Sequence, residues 1–158
     1  MIAYLNKDLT SVTRGVVVHG CNAQGAMGSG VAAALVKRWP QIYEGYNALC
    51  KSASDKQTIL GTSHFVTITD GALIIGNLIT QQTYGPQPYG RSIAYASPEA
   101  IEKSLRTAFS MADLNNLPLY MPKIGCLRGG LNWEKDVLPI VEQLDKEFEL
   151  MEIYVCDI

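Results

Sequence analysis

The sequence predicts an α/β fold: a mixed, roughly six-stranded sheet held between two helical layers in a three-layer α/β/α sandwich. Three observations carry this. A strand at residues 16–19 runs through a glycine-rich loop into an alanine-rich helix. A second strand, at 117–121, enters another glycine-rich loop and then another helix. Between the two units, Asp70-Gly71 separates two apolar runs, which is a hairpin signal and makes one strand pair antiparallel.

The elements follow in order. Residues 2–6 form a short strand, and Lys7-Asp8-Leu9-Thr10 a turn. Val16, Val17 and Val18 are β-branched and continuously apolar, as in a strand buried on both faces. Residues 31–38 form a helix that stops at Trp39-Pro40, because the residue before a proline leaves the α region. Pro40 opens a second helix through Lys51, with Tyr43, Tyr46, Leu49 and Cys50 on one face. A strand at 62–69 and its return at 72–79 make the hairpin. The segment 81–95 is long and rich in Gly, Pro and Tyr, a length that usually marks function or mobility. Ser97-Pro98-Glu99 starts a helix that runs to Leu114, with Ser97 as N-cap. A helix over 133–148 and a strand over 151–156 close the chain.

A chain of 158 residues is expected to form one domain spanning its whole length. The net charge of −2 lacks the basic excess of a general nucleic-acid binder. No apolar run has membrane-spanning length, and the first ten residues lack a signal-peptide pattern, so the expected location is the cytoplasm. Cys21, Cys50, Cys126 and Cys156 are widely spaced and only two histidines are present, which argues against a zinc site. Reduced thiols are expected, with no metal and no cofactor.

Residues 16–34 carry the chemistry. A strand, a glycine-rich loop and a helix N-terminus together present backbone N–H groups and a positive helix dipole to an anion. A phosphate-gripping Walker loop is excluded, because Gly30 is followed by Val31 rather than Lys. A dinucleotide fingerprint is disfavoured, because nine residues separate Val18 from Gly28. The second loop, 122–131, is expected at the same sheet edge. Two such loops facing one crevice suit a ligand with two phosphates, or with a phosphate and a ribose.

Three stretches in register resemble the macro domain family. Lys7-Asp8-Leu9-Thr10 is similar to its Gly-Asp-Ile-Thr signature. The run from His19-Gly20-Cys21-Asn22 to Gly28-Ser29-Gly30-Val31-Ala32 resembles the first ligand loop of one branch. That branch holds the ADP-ribose-1''-phosphate phosphatases and the terminal ADP-ribose protein glycohydrolases. Met121-Pro122-Lys123-Ile124-Gly125-Cys126, then Leu131-Asn132-Trp133-Glu134, resembles its second loop and following helix. The resemblance spans essentially the whole chain.

It implies ADP-ribose in the crevice. Asp8 would accept from the adenine amino group, beside the backbone N–H of Leu9. Asn22 would meet the distal ribose hydroxyls, and Gly28, Ser29, Gly30 and Val31 would wrap that ribose and one phosphate. Gly125, Cys126, Leu127, Arg128, Gly129, Gly130 and Leu131 would cover the diphosphate. Asp157 and Ile158 fall near the adenine end.

The chain also departs from the branch. Its glycohydrolases use a Lys after the fourth strand and an Asp in the second loop. The corresponding stretches here are Ile79-Thr80-Gln81-Gln82 and Cys126-Leu127-Arg128-Gly129-Gly130. His19 remains as the expected catalytic group, facing the crevice as nucleophile or as base for a water. Cys21 reads as a packed small residue, with nothing nearby in sequence to lower its pKa.

Three functions follow: a phosphatase acting on ADP-ribose-1''-phosphate, a binding module for free or protein-linked ADP-ribose, and a water-using hydrolase of ADP-ribosyl or acyl-ADP-ribose esters. The expected partner is a small ADP-ribose derivative, with an ADP-ribosylated protein as a further candidate. Neither general nucleic-acid binding nor membrane binding is expected.

Overall fold

The computed structural model describes residues 1–88 and 93–157. The strands are β1 (Ile2–Leu5), β2 (Gly15–Asn22), β3 (Ser63–Thr69), β4 (Leu73–Gln81), β5 (Leu119–Met121) and β6 (Ile153–Cys156). They form one six-stranded sheet in the order β1-β6-β5-β2-β4-β3. All neighbours are parallel except β3, which runs against β4 across the Asp70-Gly71 turn. The longer helices are α1 (Gly30–Arg38), α2 (Tyr43–Ser52), α3 (Pro98–Leu114) and α4 (Leu138–Glu147). The expected fold class is the observed one.

Alternation along the strands divides the core in two. Val16 and Val18 of β2 join Leu119, Met121, Ile153 and Val155 under α3 and α4. Val17 and Cys21 face the other way and join Ile75, Ile79 and Leu35 under α1 and α2. Both faces of the sheet are therefore covered at β2 and β4, which explains the continuous apolar character of these strands.

Three elements differ from expectation for identifiable reasons. β2 extends through Asn22, three residues past the expected end, because its pairing with β4 continues through Cys21 and resumes at Asn22↔Gln81 after a bulge. Pro40 opens a separate 3₁₀ turn, Pro40–Ile42, before α2 begins at Tyr43. The last helix starts as a π turn, Trp133–Val137, and becomes α-helical only at Leu138. Pro139 has no N–H to return to Lys135, and its ring crowds that carbonyl, so the first turn widens.

Candidate functional site

β2 and β5 are adjacent and parallel, yet the helices that follow them pack on opposite faces of the sheet. Their connections diverge at the carboxyl ends of the strands and leave a crevice there, the usual ligand position in such sheets. The first wall is the segment 22–30, and the second is the segment 122–131.

The first wall is rigid because α2 holds it. Tyr46 Oη donates to the Asn22 carbonyl at 2.5 Å. Tyr43 Oη and Asn47 Nδ2 both donate to the Gly25 carbonyl, each at 3.1 Å. The sequence placed Tyr43 and Tyr46 on one helix face but did not reveal that they support the loop. Asn22 departs from its expected role. Its Oδ1 accepts from Gln24 N at 3.0 Å, Ala26 N at 3.3 Å and Tyr46 Oη at 3.2 Å, while Nδ2 donates to Ala26 O at 2.8 Å. One Nδ2 hydrogen remains, so Asn22 is first a staple of its own loop.

Beyond the staple, Gly28, Ser29 and Gly30 are exposed and Val31 is half-buried. Gly30 begins α1 at φ 64°, a conformation that favours glycine. Ser29 is the N-cap, yet its side chain makes no cap hydrogen bond. The first N–H groups of α1 are thus left to the crevice.

The second wall turns through Leu127–Gly129 as a 3₁₀ element. Leu127 sits at φ 59° and is 90% exposed, an unusual backbone for a residue with a branched side chain. Arg128 is exposed and reaches across the crevice: a Cβ on Gly30 would lie 3.5 Å from Arg128 Nε. Gly125 packs over Ile101 and Leu131, and a Cβ on Gly130 would fall 1.8 Å from the Ile93 carbonyl oxygen. Gly129 is buried rather than presented to a ligand, and its carbonyl accepts from Tyr95 N at 2.9 Å and Ala96 N at 3.1 Å. Cys126 is half-buried, and burial pushes its thiol up to about 11, which keeps it protonated.

The described parts of the expected 81–95 loop, residues 81–88 and 93–95, clamp this wall, and residues 89–92 lie outside the described residues. Gln81 bridges to Ala96, and Gln87 bonds Ile93 N, Ile93 O and Arg128 O. Gln81 also separates the walls. It pairs with Asn22, its carbonyl accepts from Ala23 N at 2.9 Å, and its Oε1 lies 3.5 Å from where a Cβ on Gly129 would be. Behind it, Thr80 Oγ1 is buried 2.8 Å from where a Cβ on Gly20 would be, with no hydrogen-bond partner among the described residues.

His19 is not in the crevice. It is fully buried, with Nε2 2.6 Å from Asn77 Oδ1. Turning away from Val18 takes its side chain into the α1/α2 core, because both sheet faces are covered and β2 continues for three more residues. The expectation that it faces the crevice is therefore corrected. Asn77 is the hub of a buried row across three strands. It pairs in register with both His19 and His64, and its Nδ2 donates to Ile42 O at 2.9 Å and to His64 Nδ1 at 3.1 Å. This pattern assigns the proton of His19 to Nε2, toward Asn77. Burial lowers the His19 pKa to about 4, partly offset by the Asn77 bond, so the ring is neutral near pH 7. Cys21, 3.7 Å from His19 Nδ1, has its thiol raised by burial and is packed as expected.

At the β1 end, Asp8 Oδ1 accepts from Thr10 N at 2.9 Å and Thr10 Oγ1 at 2.8 Å. These two bonds hold its carboxyl below the usual carboxylate range. Asp8 therefore caps the Leu9–Ser11 turn while its exposed Oδ2 remains to accept elsewhere, and Leu9 anchors the turn with a fully buried side chain. Asp157 N donates to Leu5 O at 3.0 Å, placing Asp157 at the same end; Ile158 lies outside the described residues. A separate groove of about 330 Å³, lined in part by Arg14, Asp113, Asn116 and Glu152, lies at the opposite, amino end of the strands.

An ADP-ribose 1''-phosphate phosphatase of Scheffersomyces stipitis is 28% identical, with 95% of this chain and 98% of that protein covered. A DNA ADP-ribosyl glycohydrolase of Mycobacterium bovis is 27% identical over 85% of this chain, which spans 36% of that longer protein. The structure of a macrodomain protein from Streptomyces coelicolor superposes with a TM-score of 0.78 at 25% identity, covering 100% of this chain and 99% of that one. The Macro domain family model matches residues 18–140, a span that contains both walls of the crevice, β5 and the carboxyl end of β2, and the chain therefore belongs to the macro domain family.

Proposed function

We propose that this macro domain binds ADP-ribose derivatives across the crevice and hydrolyses ADP-ribose 1''-phosphate to ADP-ribose and phosphate. Adenine lies toward Asp8 and Leu9, the diphosphate under the second wall, and the distal ribose with its phosphate between the walls. The observation that carries the reading is the pairing of Arg128 with the start of α1. The guanidinium lies against Gly30 at the positive end of the helix, and an anion bound beside the two would be stabilised by both. The name of the relative matched along nearly its whole length supports a phosphate ester as substrate.

The chemistry asks little of a base. Phosphoryl transfer to water passes through a loose transition state, so positioned N–H donors and a cation do most of the work. The backbone of segment 28–31 and the N–H groups of Gly125, Leu127 and Arg128 supply those donors, since the N–H groups of Cys126, Gly129, Gly130 and Leu131 donate to carbonyls of the second wall itself. His19, sealed in the core, takes no direct part in this scheme.

The inward His19 also favours a second reading, in which the domain binds ADP-ribose without turning it over. Phosphorus NMR on ADP-ribose 1''-phosphate separates the two, with O-acetyl-ADP-ribose and ADP-ribosylated protein and DNA as parallel substrates. Release of inorganic phosphate, faster than any product from the other three, is the expected result. Tight ADP-ribose binding with no turnover of any substrate would leave the binding module.

A further inference from the structure

Gln81 occupies a singular place in the crevice. It is the last residue of β4, and its backbone ties the first wall to the sheet through Ala23 N and the Asn22 pairing. Its side chain turns to the other wall, with Oε1 beside Gly129. The amide is not free to spin, because Nε2 donates to the Thr83 carbonyl at 2.9 Å, and that bond also decides which amide atom is oxygen. Among the described residues no donor reaches Oε1, so an oriented acceptor is held between the two walls.

An amide oxygen is too weak a base to remove a proton from water, but it can hold a water in line for attack. Resting on the phosphatase reading, we propose that Gln81 is the water-positioning residue of this domain, its Oε1 accepting from the water that attacks the phosphorus of ADP-ribose 1''-phosphate. The water oxygen bonds phosphorus as the bond from phosphorus to the C1'' oxygen breaks. The water gives up one proton to solvent, and the departing oxygen takes one from solvent, so the products are ADP-ribose and inorganic phosphate.

The test compares wild type with Gln81→Leu and Gln81→Glu, reading kcat, KM, the affinity for ADP-ribose and the pH–rate profile. Gln81→Leu removes the acceptor and should lower kcat at least tenfold, with ADP-ribose affinity within about twofold of wild type. Gln81→Glu keeps an acceptor of the same reach. It should retain more activity than the leucine variant and add to the pH–rate profile a limb, set by the new carboxylate, that wild type lacks. The assignment is overturned if Gln81→Leu turns over at the wild-type rate, or if its loss lies entirely in KM and ADP-ribose affinity. An unchanged pH profile in an active Gln81→Glu enzyme also overturns it. A wild type that binds ADP-ribose yet releases no phosphate defeats the phosphatase reading itself, and the water-positioning role with it.

Discussion

Replacing His19 by alanine separates a structural histidine from a catalytic one. In the folded protein the imidazole is fully buried and satisfies Asn77 Oδ1 at 2.6 Å. Its removal strands that oxygen in the core, a cost of about 1–3 kcal/mol, and leaves a cavity besides. The penalty depends on pH in a definite direction. The folded pKa of about 4 lies below the unfolded value of 6.5, so the folded state binds fewer protons between them. The neutral ring's contribution is complete above about pH 6.5 and is lost as pH falls toward 4. The difference between 6.5 and about 4 corresponds to roughly 3 kcal/mol over that window. His64, also lowered by burial, works in the same direction but is present in both proteins. Urea unfolding at pH 7, 5.5 and 4 should therefore show His19→Ala markedly less stable than wild type at pH 7, with the gap shrinking by roughly 3 kcal/mol at pH 4. A gap that stays constant with pH, or an imidazole that titrates near 6.5 in the folded protein, would refute the buried neutral assignment. Where the variant remains folded, its turnover of ADP-ribose 1''-phosphate should fall by less than tenfold.

Gly28→Glu should abolish ADP-ribose binding with little change in melting temperature, because Gly28 has open space around it and the carboxylate would stand at the anion-binding end of α1; calorimetry checks the first and thermal unfolding the second. It is a cleaner probe than Gly30→Glu, which forces a side chain onto φ 64°, or Gly129→Glu, which meets Ala96 and Gln81 in a buried turn. Thr80→Val should stabilise the fold by up to about 1 kcal/mol in denaturant titration, since it removes a buried hydroxyl that has no partner among the described residues. Asp8→Asn keeps the Oδ1 cap of Thr10 but turns the exposed Oδ2 into a donor where the proposed adenine site calls for an acceptor. It should weaken ADP-ribose binding by about 1–3 kcal/mol in calorimetry without unfolding the turn.

What could be read from the sequence was local. The glycine loops, the Ser97 N-cap and the Asp70-Gly71 hairpin each declare themselves within a few residues, and each stands where expected. What stayed hidden depends on neighbours distant in the chain. The direction of His19 turns on helices covering both sheet faces, and on β2 running through to Asn22. A polar Asn77 inside the apolar run 73–79 hinted at a buried partner but could not say which. Asn22 looks like a free ligand donor until Tyr46 and Ala26 are seen to engage it. Gln81 and Gly129 are 48 residues apart, and only the folded chain brings Oε1 to that glycine.

The central claim is that ADP-ribose occupies the crevice between the α1 N-terminus and the Arg128 turn. Titrating ADP-ribose into isotope-labelled protein and following the backbone amide resonances tests it most directly. Gly28, Gly30, Val31 and the segment 125–131 should shift together and saturate at one ligand per chain, while Arg14, Asn116 and Glu152 at the opposite end of the sheet stay still. Saturable shifts confined to that opposite groove, or no shifts at all, would contradict the account.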